Sequence, residues 1–88
     1  MKDEELMKIL KAVANENRFE ILKCLLKDKE LSVGDLAELI NSPFRSVSGD
    51  LSILRRAGLV KSRNRYVKHL YSINITHFPK QLLNFIKN

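Results

Sequence analysis

Seven cations fall within residues 42–68: Arg45, Arg55, Arg56, Lys61, Arg63, Arg65 and Lys68, against one acid, Asp50. Their excess equals the +6 net charge of the whole chain, because the other nine Lys/Arg are matched by nine Asp/Glu. Solvated surfaces usually mix both signs, so a one-signed stretch reads as an electrostatic footprint for a polyanion. Ser42, Ser46, Ser48 and Ser52 are interleaved with these cations. Guanidinium and hydroxyl groups together can grip phosphates and touch base edges in the major groove of double-stranded DNA. Other chemistry is poorly supplied. There is no Gly-rich phosphate loop and no His/carboxylate or Cys/His constellation, so no enzyme activity is expected. His69 and His77 lack thiols or carboxylates near them and make a poor ligand set, so neither a metal nor another cofactor is expected. The single cysteine, Cys24, excludes an internal disulfide framework and fits a reducing cytoplasm. It lies at the edge of an apolar stripe and reads as a half-buried structural thiol.

The elements that must position these groups are legible from periodicity and capping. At 88 residues the chain is expected to form one domain, residues 1–88. Its 44% apolar content suffices for one core with little to spare, so oligomerisation would help. No apolar run approaches the ~20 residues of a membrane span, and Met-Lys-Asp-Glu-Glu is not a secretory start. Leu6, Ile9, Leu10 and Val13 mark a helix near residues 4–14. Asn15 can cap a second helix, carrying Ile21, Leu22, Leu25 and Leu26 to about Asp28. Glu30-Leu31 can pair as a small strand. Ser32 and Asp35 then form a capping-box start for a helix with Val33, Leu36, Ala37 and Ile40.

After the turn Asn41-Ser42, a fourth helix is predicted, with Ser42 as its cap, Pro43 at its first position and Gly58 ending it. Phe44, Val47, Leu51 and Leu54 form its apolar back. Arg45, Ser48, Ser52, Arg55 and Arg56 form a small, basic front. Gly49 should cost about 1 kcal/mol of helix propensity relative to Ala, and would admit close approach by DNA or by a neighbouring helix. Asp50 repels phosphate, yet it can accept from a cytosine amine or pair with Arg55 or Arg56. Beyond Gly58, residues 59–63 and 68–73 alternate as a hairpin with a polar tip at Asn64-Arg65-Tyr66-Val67. Tyr71 and Ile73 share one face and Leu70 the other. The tip lacks Gly, so a tight two-residue turn is not assured. Thr76 and Pro79 open a last helix with Phe78, Leu82, Leu83, Phe85 and Ile86 to bury.

This order gives a mainly α (α+β) winged helix-turn-helix: helices, a two-stranded β-hairpin wing and a C-terminal helix. The sequence resembles the ArsR, or arsenical-repressor-like, family of transcription regulators. The resemblance is carried by Leu10-Lys-Ala-Val-Ala-Asn-Glu-Asn-Arg-Phe-Glu-Ile-Leu22 and Glu30-Leu-Ser-Val-Gly-Asp-Leu-Ala37. Its strongest block is Val47-Ser-Gly-Asp-Leu-Ser-Ile-Leu-Arg-Arg-Ala-Gly-Leu-Val60. It implies a homodimeric, sequence-specific regulator, more often a repressor, paired through its terminal helices. Two departures stand out. Ser32 and Gly34 occupy the positions where many members carry a metal-binding thiol pair, and neither supplies a thiolate. Gly49-Asp50 replaces the family's usual polar-then-His pair.

The expected DNA contacts are Ser42, Phe44, Arg45, Ser46, Ser48, Gly49, Ser52, Arg55 and Arg56 on the helix. On the wing they are Arg63, Arg65, Tyr66 and Lys68. The expected dimer interface is Leu6, Ile9 and Leu10 with Leu82, Phe85 and Ile86, centred on Phe85 and Ile86. A winged helix serving as a protein-interaction adaptor is the alternative, but such a scaffold needs no cation cluster. Neither the operator nor an effector is indicated by any residue.

Overall fold

The computed structural model describes residues 1–87. α1 (Asp3–Val13) and α2 (Glu16–Asp28) meet at a tight corner. Asp3, Glu4 and Glu5 sit in the first turn of α1, where the helix dipole favours them. Asn15 caps α2, its side chain accepting from the Arg18 amide at 3.1 Å. β1 (Glu30–Ser32) leads into α3 (Val33–Ile40). There Ser32 Oγ accepts from the Asp35 amide and the Asp35 carboxylate accepts from the Ser32 amide, each at 3.1 Å. These bonds hold the Asp35 carboxyl below its ordinary range: the Ser32 backbone bond contributes most, then its side-chain bond.

α3 ends at Asn41 in the left-handed region (φ 53°), and α4 runs Phe44–Arg56. Here the capping expectation is corrected. Pro43 is extended (φ −60°, ψ 142°) and flanks the helix without entering it, and no side chain caps it. The Ser42 hydroxyl instead accepts from Asn17 Nδ2 at 3.2 Å, joining the turn to the start of α2. Gly58 ends the segment at φ 80°, donating to the Arg55 carbonyl at 2.9 Å. The positive φ favours glycine, and a Cβ there would lie 2.3 Å from the ring of the exposed His77, which would have to move aside.

β2 (Val60–Arg65) and β3 (Lys68–Ile73) form the wing and α5 (Lys80–Lys87) closes the chain. The hairpin turns tightly through Tyr66-Val67, with Tyr66 at φ 58° in place of the glycine such a turn favours. The sheet has three strands in the order β1-β3-β2, all antiparallel. Glu30, Leu31 and Ser32 pair with Ser72, Tyr71 and Leu70.

The core is built from Ile9 and Ala12 of α1, Ile21, Leu22 and Leu25 of α2, Val33 and Leu36 of α3, and Val47, Leu51 and Leu54 of α4. Ala57, Leu59, Val60, Phe78 and Ile86 complete it, and no buried residue among those described is polar. Tyr71 and Ile73 pack against this core from one face of β3. Cys24 is half-buried, and burial followed by Glu20 and Asp28 pushes its thiol up, which disfavours the reactive thiolate.

Candidate nucleic-acid interface

Val47, Leu51 and Leu54 anchor α4 in the core, so its opposite face is turned to solvent. That face is a ridge between two open grooves. One, of about 690 Å³, gathers Arg45, Ser46, Gly49, Ser52 and Arg56 of α4 beside Asn15, Glu16 and Asn17 at the start of α2. The other, of about 780 Å³, lies between α4 and the wing. It gathers Phe44 and Ser48 with Lys68, His69 and Tyr71, over the start of α3. Most of the candidate contacts on α4 therefore share one ridge, and Lys68 faces it from the wing.

Gly49 sits on this ridge with nothing within 4 Å of where a Cβ would be. Packing of a neighbouring helix therefore does not require it, and its bare backbone is presented to solvent. Phe44 departs from the expected apolar back of the helix and is 61% exposed. Arg56 Nη2 donates to Ser52 Oγ at 3.2 Å, one turn away on the same face.

Three expectations are redirected. Asp50 pairs with neither Arg55 nor Arg56; its carboxylate accepts from Arg18 Nη1 at 3.1 Å. Arg55 lies apart from both grooves, beside Glu5, Lys8, Gly58 and His77 at the C-terminal end of α4. Arg63 donates through Nε and Nη2 to the two Glu30 carboxylate oxygens at 2.5 and 2.8 Å. This fork holds the Glu30 carboxyl below its usual range, the Arg63 hydrogen bond contributing most. Arg65 and Lys68 stand at the outer end of the wing as its last pair, with Tyr66 at the tip almost fully exposed.

A family model described as a helix-turn-helix domain matches residues 13–63. The transcriptional repressor SdpR of Bacillus subtilis is 33% identical over 81 residues, covering 89% of each chain. The transcriptional activator HlyU of Vibrio cholerae is 43% identical over 68 residues, 77% of this chain and 62% of that protein. The solved structure of HlyU from the same organism superposes with a TM-score of 0.80 at 32% identity, covering 99% of this chain and 91% of the other. This chain belongs to the ArsR-type winged helix-turn-helix regulators.

The ArsR-type chain spans 62% of the length of HlyU and likewise of the regulator KmtR of Mycobacterium tuberculosis. Where the family resemblance would put a thiol pair, this member has Ser32 capping α3 and Gly34 exposed beside it. No cluster of three or more His, Cys, Asp or Glu among the described residues is placed to hold a metal ion. No described helix is long and apolar enough to cross a membrane.

The dimer candidates divide sharply. Leu6 and Leu10 on α1 are 41% and 44% exposed, and Phe85 on α5 is 80% exposed. Ile9 and Ile86 are 1% and 2% exposed. The expectation that these two meet a partner is corrected: their side chains fill the protomer's own core. Leu82 is half-buried against that core. Met7, between Leu6 and Leu10 on α1 and not among the sequence candidates, is also 51% exposed. Sequence reasoning missed Arg18 and Glu30, the partners of Asp50 and Arg63; each lies more than 30 residues from its partner, so no local spacing marks the pair.

Proposed function

We propose that this chain is a homodimeric, sequence-specific double-stranded DNA-binding transcriptional regulator, a repressor, acting in the cytoplasm, and not an enzyme. α4 enters the major groove with Arg45, Ser46, Ser48 and Ser52 at base edges. Arg65, Lys68 and Tyr66 on the wing meet the adjacent backbone or minor groove. The observation that carries this reading is the exposed ridge of α4, basic and hydroxylated, flanked by open grooves and faced by the wing. A second copy is proposed to cover Leu6, Met7, Leu10 and Phe85, which expose large apolar side chains on α1 and α5. Two-fold pairing sets two such helices about one DNA turn, roughly 34 Å, apart and so reads a palindrome.

Selection from a random duplex library with the purified protein tests this. The expected product is a palindromic site. Arg45→Ala should then lower affinity for that site more than for random duplex, by about 1–3 kcal/mol if it reads guanine. Equal losses on both duplexes would assign Arg45 to phosphate, and an unselected library would overturn the reading.

A further inference from the structure

We infer that Arg18 is the positioning residue that joins α1 to α4 and so fixes how far apart a dimer holds its two DNA-reading helices. Its side chain comes from the first turn of α2 and is 15% exposed, as is that of Asp50. Nε donates to the Ala12 carbonyl at 2.6 Å, and Nη2 reaches the Lys11 carbonyl at 3.5 Å. Both carbonyls belong to the last turn of α1, where a helix leaves such groups without an internal partner and where its dipole is negative. Nη1 of the same guanidinium donates to Asp50 Oδ1 at 3.1 Å, in the middle of α4. One planar group therefore ties three helices together.

The fork geometry matters, because the donors of a guanidinium are fixed relative to one another. If α4 tilts or slides against α1, at least one of these bonds lengthens. Lysine keeps the charge and loses the fork. Asp50 also lines the groove beside Arg45, Ser46 and Gly49. Its link to Arg18 thus acts on the segment of α4 that carries the proposed base contacts, without Arg18 itself lying among the residues lining that groove. α1 carries Leu6, Met7 and Leu10, proposed above to meet the second copy. A rigid α1–α4 joint would transmit the dimer's geometry to the two reading helices; a loose one would let them adapt to several spacings. This inference rests on the proposed dimeric DNA binding.

The test uses the selected palindrome rebuilt as a series with spacers of increasing length between half-sites. The readout is the ratio of affinity at the best spacer to that at its neighbours. The wild type is expected to show a sharp optimum. Arg18→Lys, with the charge retained, should flatten it by about five- to tenfold, the low end of couplings between sites. Asp50→Ala is the second variant. It removes a carboxylate from the DNA side and improves helix propensity. Its binding to random duplex should therefore hold or rise while its spacing optimum flattens in the same way. Circular dichroism confirms that each variant is folded before binding is measured. Both variants keeping the wild-type ratio overturns the inference. Flattening by Arg18→Lys alone also overturns it, since α4 would then not be reached through Asp50. A wild type that binds no duplex overturns the DNA-binding reading itself, and this inference with it.

Discussion

Changing Arg63, Arg65 and Lys68 together to Gln should weaken the salt dependence of DNA binding by two charges, although three are removed. Each phosphate neutralised adds about −0.9 to the slope of log K against log salt. Arg65 and Lys68 form the outermost pair of the wing, and no ion pair engages either among the described residues. Arg63 is already satisfied by both oxygens of Glu30. Held there it neutralises no phosphate, and since the slope counts phosphates neutralised, its loss removes no such contact. The slope of the triple variant should therefore be shallower by about 1.8, and that of Arg63→Gln alone should be unchanged. Glu30→Gln should do the reverse: it frees Arg63 and steepens the slope by about 0.9. Anisotropy of a labelled random duplex, titrated at several KCl concentrations, measures all four proteins. A shift near 2.7 in the triple variant, with no effect of Glu30→Gln, would refute the reasoning.

Gly49→Ala should raise stability by about 0.8–1 kcal/mol, since the site is helical and open; if the backbone there meets DNA, affinity for the selected site should fall in the same protein. Parallel thermal melts and gel shifts show whether the two move in opposite directions, and unchanged affinity would remove Gly49 from the interface. Phe85→Glu should give a folded protein of monomeric mass by light scattering. Ile86→Ala should stay dimeric but lose about 2–5 kcal/mol of stability, the usual cost of emptying such a core site. Similar behaviour of the two would contradict the division between an exposed Phe85 and a buried Ile86. The Asp35 carboxyl is held below its ordinary value in the folded chain. Its contribution is therefore fully present above the unfolded pKa and lost as pH falls through the lower folded value. Wild-type stability should drop faster than that of Asp35→Asn over this acidic window, and parallel acid-unfolding curves would contradict the capping role.

Local rules explain why so much of the architecture could be read from the chain. Asn15, the Ser32/Asp35 pair and Gly58 act over three or four residues, and each does what its position predicts. The stripes of α2 and α3 likewise face the core. The failures are non-local. Ser42 meets the criteria for a cap, but α2 brings Asn17 to it. Asp50 has two arginines one turn or so away, and the fold supplies a third from α2. On α5, Phe85 and Ile86 are neighbours of equal hydrophobicity in the sequence. Only the rotation of the helix on α2 decides that one fills the core and the other faces water. The basic ridge was legible because charge excess survives without geometry, whereas the pairing of Arg63 and the seclusion of Arg55 depend on it.

The strand β1 also changes what the wing can do mechanically. β3 is held on both sides, by β2 along its length and by β1 at residues 70–72. The wing is thus no independent flap: its root is continuous with the strand that opens α3. Beyond Leu70 the hairpin overhangs by two residue pairs, Asn64 with His69 and Arg65 with Lys68, and then the turn. Compliance is confined to this fingertip, which carries Arg65 and Lys68, while the forked Arg63–Glu30 pair lies in the clamped part. Lengthening or shortening the tip would alter reach and leave the rest of the molecule undisturbed. A one-residue slip in β3 would break two registers at once and turn Tyr71 and Ile73 out of the core. Variation in how such a protein grasps its target is therefore open at the tip of the arm and closed at the shoulder.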